Sequence, residues 1–202
     1  MVYIVGVGPG SFEYIIPEAI RILSESNIIL GFSRVIDSLD KINTKKVKVS
    51  SLKELVDKVN ELKEDENISI VASGDPTFYG ITNFIKNNYN GNLKVIPGIS
   101  SFQYLTCKIG VCWNNSYVGS LHGRDDDFIN KVNENKLSIW LTDKRNNPQN
   151  LCKILLKESI NCKVVVGENL SYENERILIG KPDEIVNEVF SDLSIFIVER
   201  ED

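Results

Sequence analysis

The sequence predicts an α/β protein built as two lobes. Apolar runs alternate with helical patterns through the first hundred residues, and the rhythm restarts after the polar break Trp113-Asn-Asn-Ser116. Three of the early apolar runs also open into loops rich in Gly and Pro. The lobes are placed at residues 1–112 and 113–202.

The first strand is read at residues 2–5 and opens into Gly6-Val7-Gly8-Pro9-Gly10. Pro17 suits a first helical turn, with Ile20 and Leu23 as the buried stripe before a short strand at 27–30. Ser33 is expected to cap a helix running to about Leu39, and a third strand follows at 47–49. Ser51 and Glu54 have the spacing of a capping box, after which Leu52, Leu55, Val56, Val59 and Leu62 recur at helical spacing. Strands at 68–72 and 93–96 come next. Ser100 and Gln103 form a second capping box, opening a helix that ends near Gly110. The second lobe reads as a strand at 117–120, a helix from Asp127, a strand at 137–141 and a helix over 148–158. Strands at 163–166, 176–179 and 194–198 follow, with a last helix over 182–190.

The chain has 202 residues, 42% of them hydrophobic, enough to fill ordinary cores. Net charge is −5 with Lys and Arg scattered, which argues against a nucleic-acid footprint and for small-molecule partners. No apolar run approaches the ~18 residues of a membrane span, and the first residues read as a core strand rather than a signal peptide. A cytoplasmic protein is the expectation. Cys107, Cys112, Cys152 and Cys162 show no C-x-x-C pairing, and the single histidine, His122, completes no common zinc set. Reduced, mostly buried thiols and no metal site are expected.

The loop Ser73-Gly-Asp-Pro-Thr-Phe-Tyr-Gly80 is the most informative segment, and Pro97-Gly-Ile-Ser-Ser101 is the third break after an apolar strand. Ligands of open α/β sheets bind at the carboxyl ends of strands, so three such loops suggest one small-molecule cleft. Taken alone, the loop at 73–80 also fits a simple turn in which Asp75 caps the next helix. A dinucleotide fingerprint starting at Gly6 fails at Ser11, no acid follows the second strand, and no P-loop is present. Pro9 withholds an N–H where a phosphate nest would use one. A nicotinamide enzyme and a non-catalytic binding protein stay open on the loops alone.

The segments 5–10, 73–80 and 95–100 together resemble the tetrapyrrole (corrin and porphyrin) methyltransferase family, over essentially the whole chain. Ser120-Leu-His-Gly-Arg124 and the stretch from Gly167 to Arg176 are similar to its branch that methylates C5 of cobalt-precorrin-7 in cobalamin synthesis. The resemblance implies two lobes, each a mixed sheet flanked by helices, with the active site in the cleft between them. It also implies S-adenosyl-L-methionine as cofactor, a homodimer, and direct attack of a macrocycle carbon on the cofactor methyl. An association with a separate C15-methylating, decarboxylating enzyme stays open. The alternative within the fold is methylation of another tetrapyrrole position or of a protein, as in diphthine synthase. Cofactor contacts carried over are Gly8, Pro9 and Gly10, then Gly74, Asp75, Pro76, Tyr79 and Gly80, then Ser100 and Ser101. Leu141, Thr142, Asn169 and Leu170 are expected to add contacts from the second lobe. The three early loops contain no Lys or Arg, as suits a sulfonium. Arg124, Lys144, Arg145 and Arg176 are the expected donors to substrate carboxylates, with His122 as the candidate acid or base. The family commonly has Asp where Ser11 stands.

Overall fold

A computed structural model describes residues 1–61, 66–124 and 126–201. It divides into two compact units, Met1–Ser100 and Ser101–Asp202. Helix Ser101–Ile109, which the sequence reading set in the first lobe, groups with the second unit.

The first unit contains β1 (Val2–Gly6), α1 (Pro17–Glu25), β2 (Ile28–Phe32), α2 (Ser33–Asp37), β3 (Lys46–Val49), α3 (Leu52–Glu61), β4 (Ile68–Ala72), α4 (Thr82–Asn88) and β5 (Leu93–Ile96). Its sheet has the order β3-β2-β4-β1-β5, and all five strands run parallel. The mixed character expected of this sheet is confined to one antiparallel bridge, Gly8 with Gly74, beyond the strand ends. Strand alternation decides which residues meet which helices. Val2, Ile4, Ile28, Leu30, Ile68 and Ile70 face Leu55, Val56 and Val59 of α3 and Ile85 of α4. Val5, Ile29 and Val71 face Ala19, Ile22 and Leu23 of α1 and Ile36 of α2. Ser69, fully buried on the central strand, is satisfied by the Ser26 hydroxyl at 2.7 Å.

Local signals set the helix starts. Ser51 Oγ accepts from the Glu54 N–H at 3.1 Å, while Glu54 reaches back to the Ser50 N–H at 2.8 Å, one residue earlier than the simplest capping box. Leu62, expected on this helix, lies outside the described residues. Ser33 is the first residue of α2 rather than its cap. Ser11 caps a 3-10 turn, Phe12–Tyr14, that no periodicity announced.

In the second unit, α5 (Ser101–Ile109) precedes β6 (Tyr117–Ser120), α6 (Phe128–Glu134), β7 (Leu137–Leu141), α7 (Pro148–Lys157), β8 (Cys162–Glu168), β9 (Arg176–Gly180), α8 (Pro182–Ile185) and β10 (Ser194–Arg200). The sheet order is β6-β7-β10-β8-β9; only β6 and β7 are parallel, so this sheet is mixed. Trp140, Phe196, Val164 and Val166 face Phe128 and Val132 of α6 and Leu151 and Leu155 of α7. Helix α5 packs against β7 and β10. The last helix is one turn long instead of the expected 182–190. Cys152 and Cys162 are buried, and burial above all pushes their thiols up to about 12 and about 11. Cys107 and Cys112 are exposed, so only half of the four thiols are buried. Among the described residues no helix is long and apolar enough to cross a membrane.

Candidate functional site

Strands β4, β1 and β5 are neighbours and run parallel, so the loops that follow them leave one edge of the sheet together. Their backbones join there. Val7 donates to the Ala72 carbonyl at 3.0 Å, Gly8 to Gly74 at 3.3 Å, and Gly74 back to Gly8 at 2.7 Å. Gly98 completes the junction: a Cβ on it would overlap the Gly74 carbonyl oxygen and come within 2.8 Å of the Gly6 carbonyl carbon. Only glycine permits that approach. Gly8, Pro9 and Gly10 are buried, as are Gly74 and Pro76.

Asp75 ties two of these loops. One carboxylate oxygen accepts from the Thr77 N–H at 2.7 Å and from the Thr77 hydroxyl; the other accepts from the Gly98 N–H at 3.2 Å. Burial by itself would raise this carboxyl, but the bonds from Thr77, Gly98 and Phe78 outweigh it and hold it below the usual aspartate range. Asp75 does not cap α4, whose N-cap position is Ile81. The Thr82 hydroxyl instead secures the loop through the Pro76 carbonyl at 2.6 Å. Tyr79 adopts a left-handed backbone, φ 49, is 42% exposed, and meets Phe78 edge-on at 4.9 Å. Ser100 is buried beside Gly74, and Ser101 opens α5.

In the second unit the loops after β6 and β7 emerge at the carboxyl ends of the parallel pair. They carry His122 and Arg124 on one and Lys144 and Arg145 on the other, all exposed. Asp143, which the sequence reading passed over, holds them: it accepts from Gly123 at 2.8 Å, Arg145 at 2.9 Å and Asn146 at 2.7 Å. The bonds from Asn146 and Gly123 are the main reason its carboxyl is held below the usual range. An Asp at a strand end with Asn three residues on is a turn signal that could have revealed it.

The remaining expected residues separate into two groups. Leu141 ends β7, and its carbonyl accepts from Leu121 at 2.8 Å. Thr142 is buried with its hydroxyl committed to β10, donating to Ser194 O at 2.7 Å. Asn169 is left-handed at φ 49, half-buried, and turns the chain onto buried Leu170. The loop beyond is held through Glu175, which accepts from the Ser171 N–H at 2.6 Å and pairs with Lys108 of α5 at 3.7 Å. Arg176 lies at the same end of the sheet as Thr142, through Ser194 and Glu168, but is tied to other partners. It donates to Glu168 at 2.5 Å, to Glu188 at 3.3 Å and to the Val189 carbonyl, and it lies over the Phe190 ring at 4.8 Å. Glu168 is buried, so this arginine neutralises a charge on β8 and closes the 186–191 segment over the strand end.

A glycine-lined edge tied by Asp75 and a basic edge tied by Asp143 are the geometry against which the chain's relatives can be read. Residues 1–186 match the family model of tetrapyrrole (corrin/porphyrin) methylases. The chain belongs to this family. Among its relatives, the "Probable cobalt-precorrin-7 C(5)-methyltransferase" of Methanocaldococcus jannaschii is 33% identical, across 100% of this chain and 99% of that protein. The cobalt-precorrin-7 C(5)-methyltransferase of Salmonella typhimurium is 30% identical, across 88% of this chain and 89% of its own. The uroporphyrin-III C-methyltransferase of Thermus thermophilus, solved in complex with S-adenosylhomocysteine, shares the fold at a TM-score of 0.79, with 20% identity, 98% of this chain and 96% of that one covered. The methylase thus meets the fold expected from its loop motifs.

Proposed function

We propose that this methylase transfers the methyl group of S-adenosylmethionine to C5 of cobalt-precorrin-7 in cobalamin biosynthesis. The observation that carries the reading is the match along the full chain to a relative named for that reaction.

The loop residues of the first unit fit such a donor. They offer a buried glycine backbone, one carboxylate held in its charged form, and no Lys or Arg to repel a sulfonium. When bound, the donor supplies an electrophilic methyl group. Gly8, Pro9 and Gly10 would hold it with the turn Gly74-Asp75-Pro76, Tyr79, Gly80, Ser100 and Ser101. From the second unit, Leu141, Thr142, Asn169 and Leu170 would add contacts; the Thr142 hydroxyl is already committed to β10. Asp75 orients the loops by its bonds to Thr77 and Gly98. Arg124, Lys144 and Arg145 would receive the carboxylates of the macrocycle, and His122 would hold a proton toward one of them or toward the ring. Arg176 does not join this set, because its donors serve Glu168, Glu188 and Val189. The residues contribute chiefly by orientation and exclusion of water, which in favourable cases lowers a barrier by roughly 7–11 kcal/mol. The reading extends to a cytoplasmic homodimer; light scattering of the purified protein tests the dimer, and fractionation of cells expressing it tests the location.

Purified protein, donor with an isotope-labelled methyl and enzymatically prepared cobalt-precorrin-7 test the assignment. One methyl gained by the corrinoid, with label at C5 in its NMR spectrum and an equivalent of S-adenosylhomocysteine, is the expected result. Label at another ring carbon, or none on the corrinoid, overturns it.

A further inference from the structure

The basic loops of the second unit rest on one carboxylate. Asp143 receives three backbone N–H groups: Gly123 on one oxygen, Arg145 and Asn146 on the other. Three asparagine side chains donate to carbonyls of the same loops. Asn146 Nδ2 donates to Leu121 O at 3.0 Å, Asn147 Nδ2 to Lys144 O at 3.1 Å, and Asn150 Nδ2 to Arg145 O at 2.9 Å. The main chain on both sides of Asp143 is therefore bonded down while His122, Arg124, Lys144 and Arg145 point out from it as exposed side chains. Among the described acids of the β6 loop, Asp126 accepts from the Tyr117 hydroxyl at 3.0 Å and Asp127 from Asn130 at 2.6 Å.

A core role would not require this arrangement. Asp143 could satisfy a single turn with one or two bonds, yet it reaches across to a loop twenty residues earlier, at Gly123. That bond fixes Gly123 at φ +64, and nothing lies within 4 Å of where its Cβ would be. The position is open in space and constrained only in backbone conformation, so the bond serves to aim the residues on either side, His122 and Arg124. Fixing cationic side chains before binding lowers the ordering cost of capturing several carboxylates at once.

We propose that Asp143 is a positioning residue that joins the β6 and β7 loops into one platform recognising the carboxylates of a polycarboxylated tetrapyrrole. The proposal rests on the reading above and names the recognition element of that site. Asp143 touches no substrate; it acts through Gly123 and Arg145 on the side chains beside them.

Asp143→Ala is expected to raise KM for cobalt-precorrin-7 about tenfold with a smaller change in kcat. Affinity for S-adenosylhomocysteine, measured by calorimetry, should stay within about twofold of the parent. Asp143→Asn keeps one acceptor oxygen and should fall between. Gly123→Ala meets no atom but strains the left-handed backbone, and should raise KM in the same direction. Because Asp143→Ala already removes the Gly123 bond that Gly123→Ala strains, the double variant should cost little more than Asp143→Ala alone. The parent KM should rise with salt more steeply than that of Asp143→Ala. An unchanged KM in both single variants overturns the proposal, as does a parallel loss of S-adenosylhomocysteine affinity. A parent that turns over no corrinoid defeats the functional reading instead. The platform is then judged by quenching of uroporphyrin fluorescence, a polycarboxylated porphyrin: weaker binding by Asp143→Ala upholds it, and equal binding overturns it.

Discussion

At the scale of single residues, the loop edge of the first unit depends on missing Cβ atoms, that of Gly98 above all, and on one carboxylate. Gly98 stands against the Gly74 carbonyl, and backbone cannot move aside as a flexible side chain could. Gly98→Ala should weaken S-adenosylhomocysteine binding at least tenfold by calorimetry, about 1.4 kcal/mol. Asp75 supplies the pH dependence. Its folded-state pKa is depressed, so it contributes stability that is present above the unfolded aspartate value of ~3.9 and lost as pH falls through the folded one. Asp75→Asn puts a donor where one of two accepting oxygens was. Its melting temperature should lie below the parent's at neutral pH, and the gap should close below pH ~4, as followed by circular dichroism. The glycines and the aspartate were visible in the sequence as a ligand loop. The partner of Asp75 was not, because Gly98 lies on another loop and only the order of the strands brings them together.

At the scale of elements, agreement between sequence and structure follows the strength of the local signal. The start of α3 was readable because Ser51 and Glu54 bond within four residues. Ser51→Ala should cost about 1 kcal/mol in chemical denaturation while leaving turnover unchanged, since the cap follows β3 at the margin of the sheet, with β2 between it and the loop-bearing strands β4, β1 and β5. Helix α8 shows the opposite case. The pattern over 182–190 was helical, yet Arg176 binds the Val189 carbonyl and covers Phe190, and the helix stops at Ile185. Such a tertiary clasp overrides propensity and leaves no trace in local spacing. The same clasp commits the Arg176 guanidinium to Glu168, Glu188 and Val189, and a basic residue at the start of a strand gives no sign of which acid it will meet.

At the scale of the whole molecule, a ligand held by these loops must stabilise the native protein by mass action. S-adenosylhomocysteine at about 100 times its dissociation constant should add about 2.7 kcal/mol, read as a rise in melting temperature, whereas NAD at the same concentration should give none. The sequence by itself determined the two α/β sets, the strand and helix alternation, the three ligand loops and the family, because these rest on residues that are neighbours in the chain or recur at short periods. The tertiary structure alone decided that the first sheet is wholly parallel and that α5 belongs with the second unit. It also decided which acids organise the loops: Asp75 through Gly98, and Asp143 through Gly123. The reason is physical: a hydrogen bond between residues twenty or more apart is chosen by strand order and loop geometry, which local propensity does not encode.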